Sequence, residues 1–163
     1  MREHYVSRVA EICEKLTAWK GDEFGGVNGN QLPDNFISKR GLADIYSSNN
    51  MIQFAEEFMD ISSFYFYHCD LGPGDIIVDS AHGSIGIIDW ATAGYVPKAW
   101  IRTRFGLCGG LNLESVEDSR RAEWRNRNEA KLREMGFPEA VQAMHFARYG
   151  EVKPAVGLNL NGN

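Results

Sequence analysis

The chain has 163 residues, 44% of them hydrophobic and 24% charged, with a formal net charge of −5. This is enough apolar material for one globular domain with a core of its own. The acidic balance excludes the basic face of a nucleic-acid binder and gives no pull toward an anionic membrane; no apolar run is long enough to span a bilayer.

The N-terminal Met1-Arg2-Glu3-His4-Tyr5 has no apolar leader core. From about Tyr5 to Trp19, Val6, Val9, Cys13 and Leu16 recur at steps of three and four, which predicts a helix with one apolar stripe. Gly21 to Gly29 breaks that period and reads as a loop that Pro33 extends. Residues 35–49 are weakly patterned and read as loop with one helical turn. A second helix is predicted from Asn50 to Ser62, with Asn50 as N-cap, Gln53 three residues later, and Phe54, Ala55, Phe58 and Ile61 on its inner face.

Phe64-Tyr65-Phe66-Tyr67 is short and aromatic, hence strand-like. The tight loop Leu71-Gly72-Pro73-Gly74 follows. Two apolar runs, Ile76-Ile77-Val78 and Ile85-Gly86-Ile87-Ile88, flank Ser80-Ala81-His82-Gly83, the pattern of a β-hairpin. Further on, Ser115 and Asp118 suit a helix start, and the charged stretch from Glu117 to Met135 predicts an amphipathic helix ended by Gly136. Pro138 opens a further helix to about Tyr149. Residues 154–163 read as a flexible tail behind a single domain over residues 1–153.

The three cysteines, Cys13, Cys69 and Cys108, are odd in number and never spaced C-x-x-C. With no N-x-S/T sequon, they read as free thiols of a cytoplasmic protein. Cys69 reads as a buried thiol. His4, His82 and His145 show no metal-ligand spacing. The run Arg120-Arg121, Arg125 and Arg127 is interleaved with acids and reads as a solvated helix face. Trp90, Tyr95 and Trp100 read as core aromatics in the first instance and as cleft lining in the second.

The chemistry-bearing segment is His68-Cys69-Asp70-Leu71-Gly72-Pro73-Gly74-Asp75, followed after the hairpin by Ile87-Ile88-Asp89-Trp90. The hairpin would bring Asp75 and Asp89 to one end of two paired strands, near Asp70. Carboxylates gathered with no Lys or Arg close in sequence repel one another unless they are solvated, protonated or neutralised by a cation. A hard divalent ion such as Mg²⁺ suits such oxygen ligands, and a third carboxylate beside it could orient an attacking hydroxyl.

These motifs resemble the H-x-D…hairpin…I-D-W pattern of the aminoglycoside/choline phosphotransferase family, which has a protein-kinase-like fold. Ala93-Gly94-Tyr95-x-Pro97-x-x-Trp100 and the Gly25-Gly26-Val27-Asn28-Gly29 loop are similar to fungal members. The resemblance covers roughly residues 5–110 and is sharpest from 64 to 100. It implies an α+β fold: a mostly helical kinase-like C-terminal lobe of four or five helices, with a few short strands and a hairpin that carries the site. It implies Asp70 as catalytic base, Asp75 and Asp89 as Mg²⁺ ligands, His68 as a brace for the loop, ATP as co-substrate and a small-molecule hydroxyl as acceptor. The sequence departs from the family at Asp75, where the motif has Asn, and at Ala91, where an acid is common. No G-x-G-x-x-G or G-K-[ST] occurs, so the N-terminal ATP lobe is expected to be absent and activity to need such a lobe as partner. The rival expectation is a truncated pseudokinase acting as a binding module or homodimer.

Overall fold

An apolar stripe every three to four residues draws the first helix onto the rest of the chain. Helix α1 (Glu3–Leu16) buries Val6, Val9, Ala10, Cys13 and Leu16, with Glu3 in its first turn and Lys15 in its last, where each complements the helix dipole. It stops three residues short of Trp19. The N–H groups of Thr17, Ala18 and Trp19 take the carbonyls of Glu14, Lys15 and Leu16 in tighter turns, and the Thr17 hydroxyl adds a 2.6 Å bond to the Glu14 carbonyl.

The computed structural model describes residues 3–27, 29, 32, 48–108, 111–113, 120–141 and 143. Among them the fold is α+β, with four helices and two small antiparallel sheets. The larger sheet has the order β1-β3-β6-β2, formed by β1 (Lys20–Gly21), β2 (Gly25–Gly26), β3 (Phe64–Tyr67) and β6 (Gly94–Pro97). Strand β3 has the bounds expected of its aromatic run. The supposed loop from Gly21 to Gly29 instead contains two short strands. Its glycines serve close packing: a Cβ on Gly21 would lie 2.5 Å from the Tyr95 ring, and one on Gly94 would run into Leu32 and the Gly25 carbonyl.

Helix α2 (Ser48–Phe58) begins before Asn50, which is therefore not its cap, and ends at Phe58. The Asp60 carboxylate accepts the Ser62 N–H at 2.9 Å, turning the chain into β3 before the helix can reach Ser62. Phe54 and Ala55 are buried, while Phe58 and Ile61 pack partly buried against the core. The expected loop over 35–49 lies outside the described residues up to position 47; its last two positions belong to α2.

The second sheet is the expected hairpin, β4 (Ile76–Asp79) with β5 (Ser84–Ile87), paired Ile76↔Ile87 through Asp79↔Ser84. Asp79 closes its turn, accepting the N–H groups of Ala81 and His82 at 3.0 and 3.2 Å and facing His82 Nδ1 at 2.7 Å. His4 of α1 reaches the Gly83 carbonyl at 2.7 Å, tying the hairpin tip to the helix.

Helix α3 (Lys98–Leu107) is buried continuously from Ala99 to Phe105. Trp100 stands at the centre, meeting Phe24 and Phe54 edge-on at 5.2 and 6.1 Å. Arg102 bridges α3 to Glu129 and Glu139 at 2.8 and 2.7 Å. Glu129 belongs to α4 (Glu123–Glu134), whose expected start at Ser115 to Asp118 lies outside the described residues. Gly136, at φ 80°, ends this region as expected: its N–H reaches the Arg133 carbonyl and that of Phe137 the Leu132 carbonyl, each at 3.0 Å. Pro138 does not open a helix directly. Residues 138–140 have no regular structure, the Thr103 hydroxyl accepts the Ala140 N–H, and most of the predicted helix to Tyr149 lies outside the described residues, as does the tail at 154–163. Most of the Arg-rich run pairs on the surface as expected, but Arg125 is part-buried and caps the end of α3 through the carbonyls of Phe105 and Gly106. No helix among the described residues is long and apolar enough to cross a membrane.

Gly94→Ala is expected to destabilise the protein by about 1–3 kcal/mol in urea denaturation, because a Cβ there meets backbone. Gly74→Ala, whose Cβ would meet nothing within 4 Å, should leave the midpoint nearly unchanged.

Candidate functional site

Strand β3 delivers His68, Cys69 and Asp70 to the edge where the two sheets meet. The turn that presents Asp70 uses an unusual backbone: Cys69 has φ 66°, and Asp89 on the facing segment has φ 57°. These are the two non-glycine residues at positive φ among the described residues. Such conformations cost about 1–3 kcal/mol each and persist where surrounding contacts impose them.

The imposing contacts come largely from His68. Its side chain is fully buried. Nδ1 accepts the Asp70 N–H at 3.3 Å, which leaves the proton on Nε2 for donation to the Ile88 carbonyl at 2.8 Å. The Thr92 hydroxyl donates to the His68 carbonyl at 2.9 Å, and Trp90 meets the imidazole edge-on at 4.9 Å. His68 thus braces the loop. Cys69 is buried beneath it, and burial pushes its thiol above the ordinary value. Cys13 is likewise buried, its thiol pushed up to about 12, and all three cysteines are free.

Asp75 closes the next turn. Its Oδ2 accepts the Gly72 N–H at 3.1 Å, and its own N–H donates to the Gly72 carbonyl at 3.2 Å. Its carbonyl accepts the Ile88 N–H at 2.9 Å, which sets Asp75 against the start of the Asp89 turn. Asp75 therefore holds the turn and still presents a second carboxylate oxygen. Asp89 is exposed and makes no capping bond to the short helical turn Trp90–Thr92 that follows it. The hairpin thus brings Asp75 and Asp89 to one end of its two strands, as their sequence positions imply.

Asp70 faces both. Its carboxyl is raised from the ordinary carboxylate range, first by burial, next by the Asp75 charge, with Asp89 adding in the same sense and His68 opposing. The side chain is still 54% exposed, so its outer oxygen meets solvent. The inner one, Oδ1, meets Arg104, whose Nη2 donates at 3.1 Å from a position only 2% exposed in α3. This corrects the picture of carboxylates with no nearby base. The counter-charge comes from 34 positions further on. The sequence did carry a signal for it: Arg102 and Arg104 stand in a stretch from Ala99 to Phe105 that is apolar apart from them and Thr103, and a buried arginine requires a carboxylate or carbonyl partner. Of the aromatics weighed as core, Trp100 is core, whereas Trp90 is 39% exposed and stacks on Phe66 beside Asp89.

A carboxyl raised in the folded state favours protonation there. The net contribution of Asp70 to stability is therefore greatest below the ordinary carboxylate range and declines as pH rises through its raised value. Asp79 behaves oppositely: the His82 contacts hold it below that range, so its contribution is lost as pH falls through the lowered value. Asp75→Asn should lower the Asp70 midpoint and Arg104→Met should raise it, both read by ¹³C NMR of the side-chain carboxyls. Equal midpoints in all three proteins would mean that these groups do not face one another.

No protein-family model, characterised protein or solved structure matches the chain.

Proposed function

We propose that the chain is the catalytic lobe of a phosphotransferase that moves the γ-phosphoryl group of ATP to a hydroxyl of a small molecule, with Mg²⁺, on a kinase-like C-terminal lobe. The observation that carries this reading is convergence. Asp70, Asp75 and Asp89 come from three separate turns, and Asp75 and Asp89 both act on the ionisation of Asp70.

The donor set suits the proposed ion. Mg²⁺ commonly takes one or two carboxylates and completes its shell with water and phosphate oxygens. Among the described residues no group of three or more His, Cys, Asp and Glu is placed to hold a metal ion by itself. Asp75, through the oxygen not bonded to Gly72, and Asp89 would hold the ion. Bound there, it would supply charge neutralisation for the phosphates.

The remaining roles belong to the chain. Arg104 holds Oδ1 of Asp70 and leaves Oδ2 toward solvent, where an acceptor hydroxyl would dock and give up its proton as its oxygen bonds to phosphorus and the bond to the ADP oxygen breaks. The raised carboxyl is a better proton acceptor than an ordinary aspartate. His68 fixes the angle at which Asp70 is presented.

A second reading is favoured by one further observation. Ile77, Val78, Ile88 and Trp90, on and beside the hairpin, are 56%, 45%, 44% and 39% exposed, and Trp19 near them in the Phe66 stack is 59% exposed. Exposed apolar side chains of this kind suit a non-catalytic module that pairs with a second copy or with an N-terminal lobe.

Isothermal titration with ATP is expected to show Mg²⁺-dependent binding that Asp89→Ala abolishes and Asp70→Ala retains. Nucleotide binding indifferent to Mg²⁺ or to Asp89 would overturn the phosphotransferase reading; no binding would mean that the chain alone is not a kinase and would point to a missing lobe or a non-catalytic partner. For the second reading, light scattering should show a dimer that Ile77→Asp weakens; a monomer at every concentration would remove the self-pairing form.

A further inference from the structure

At the end of β3 away from Asp70 lies an open groove of about 410 Å³. Small-molecule sites commonly have volumes of about 300–1,000 Å³. Its floor is apolar: Phe24 and Ala55 are 9% and 1% exposed, and Ile52, Ile61 and Phe64 are half-buried beside them. Phe24 and Phe64 stack with ring centres 6.1 Å apart.

The rim has a single sign. Asp22 and Glu23 come from the turn between β1 and β2, Glu56 comes from α2, and all three are exposed. Among the described residues, no Lys or Arg lines the groove, and none of the three carboxylates has an ion-pair or hydrogen-bond partner. Several acids elsewhere are paired: Glu129 and Glu139 with Arg102, Glu123 with Arg120 and Arg127, Glu11 with Arg8.

The geometry points to a binding site for a small organic cation that carries an apolar body. The body would cover the Phe24, Ala55 and Phe64 floor, at about 25 cal/mol per Å² of apolar surface removed from water. The cationic head would lie within a Debye length of three carboxylates and against aromatic rings that favour an ammonium group. An anion would meet three like charges, and a neutral apolar molecule would gain nothing from the rim.

The groove is a separate site. Phe64 opens β3 and Asp70 follows its far end, and the four-residue strand alone spans roughly 13 Å. A molecule that fills the groove does not reach the Asp70 carboxyl. The inference is therefore independent of the phosphotransferase reading and can fail or stand without it.

The test is calorimetric titration and amide chemical-shift mapping with hexyltrimethylammonium as probe. Tetramethylammonium, 1-hexanol and hexyl sulfate separate charge from apolar body. Hexyltrimethylammonium should bind best, with shifts confined to residues 22–24, 52–56 and 61–64. The combined Asp22→Asn, Glu23→Gln, Glu56→Gln variant, changed only at exposed positions, should keep its melting temperature and bind about tenfold more weakly, the size expected of several modest surface charges. Equal binding of 1-hexanol, equal binding by the variant, shifts centred on residues 70–89, or no binding would each overturn the proposal.

Discussion

The arrangement hangs on one buried imidazole. His68 accepts the N–H of Asp70 on one nitrogen and donates its other ring N–H to the carbonyl of Ile88, so a single rigid ring joins the loop after β3 to the segment after β5. Those two segments belong to different sheets, and each carries one of the left-handed residues, Cys69 and Asp89. Without the ring, neither turn has a reason to keep a conformation that L-residues disfavour. The bond from the Ile88 N–H to the Asp75 carbonyl extends the same bracket to the third carboxylate. The three acids are thus positioned mainly by backbone, with little demanded of their own side chains.

Beneath that bracket the charges are balanced from one side only. Arg104 comes up from the buried face of α3 to the inner oxygen of Asp70, and among the described residues no cation pairs with Asp89. A buried guanidinium is costly to desolvate and gains most from a partner held in place. The stacked core around Trp100 holds α3 still, and Arg102, one position before Thr103, fixes the same helix to Glu129 and Glu139. The core aromatics and the surface carboxylates are in this sense one system: a shift of α3 would move the counter-charge of Asp70.

The parts of this system that are local in sequence were legible there. The short aromatic run placed β3, two apolar runs about turn residues placed the β4–β5 hairpin, the three- and four-residue spacing placed α1, and Gly136 marked a helix end. The His68-x-Asp70 and Asp89 positions followed from motif spacing, and the hairpin brought Asp75 and Asp89 to one end. Helix α3, buried continuously from Ala99 to Phe105, has no one-sided stripe and went unplaced; the other failures were non-local or too short to show a period. Strands β1 and β2 are two residues each, and their glycines read as loop because the rings and backbone they accommodate lie far along the chain, at Tyr95 and Gly94. The Arg104 partnership spans 34 positions, and the only trace of it was a pair of arginines in an apolar helix. Helix α2 ended early because the Asp60 turn competed with its last predicted residues, a contest between a side chain and the backbone that periodicity does not register.

The Phe66–Trp90 stack has an optical consequence. Trp90 directly follows Asp89, donates its indole N–H to the Ile87 carbonyl and stands half in solvent. Trp100 and Trp124 are buried and distant from water, and Trp19 is the other exposed indole, leaning edge-on against the same Phe66 ring. With Trp19 replaced by Phe, the solvent-sensitive part of the protein's intrinsic fluorescence would come from the residue beside Asp89, and a molecule or ion settling on that carboxylate would announce itself in the emission of an unlabelled chain.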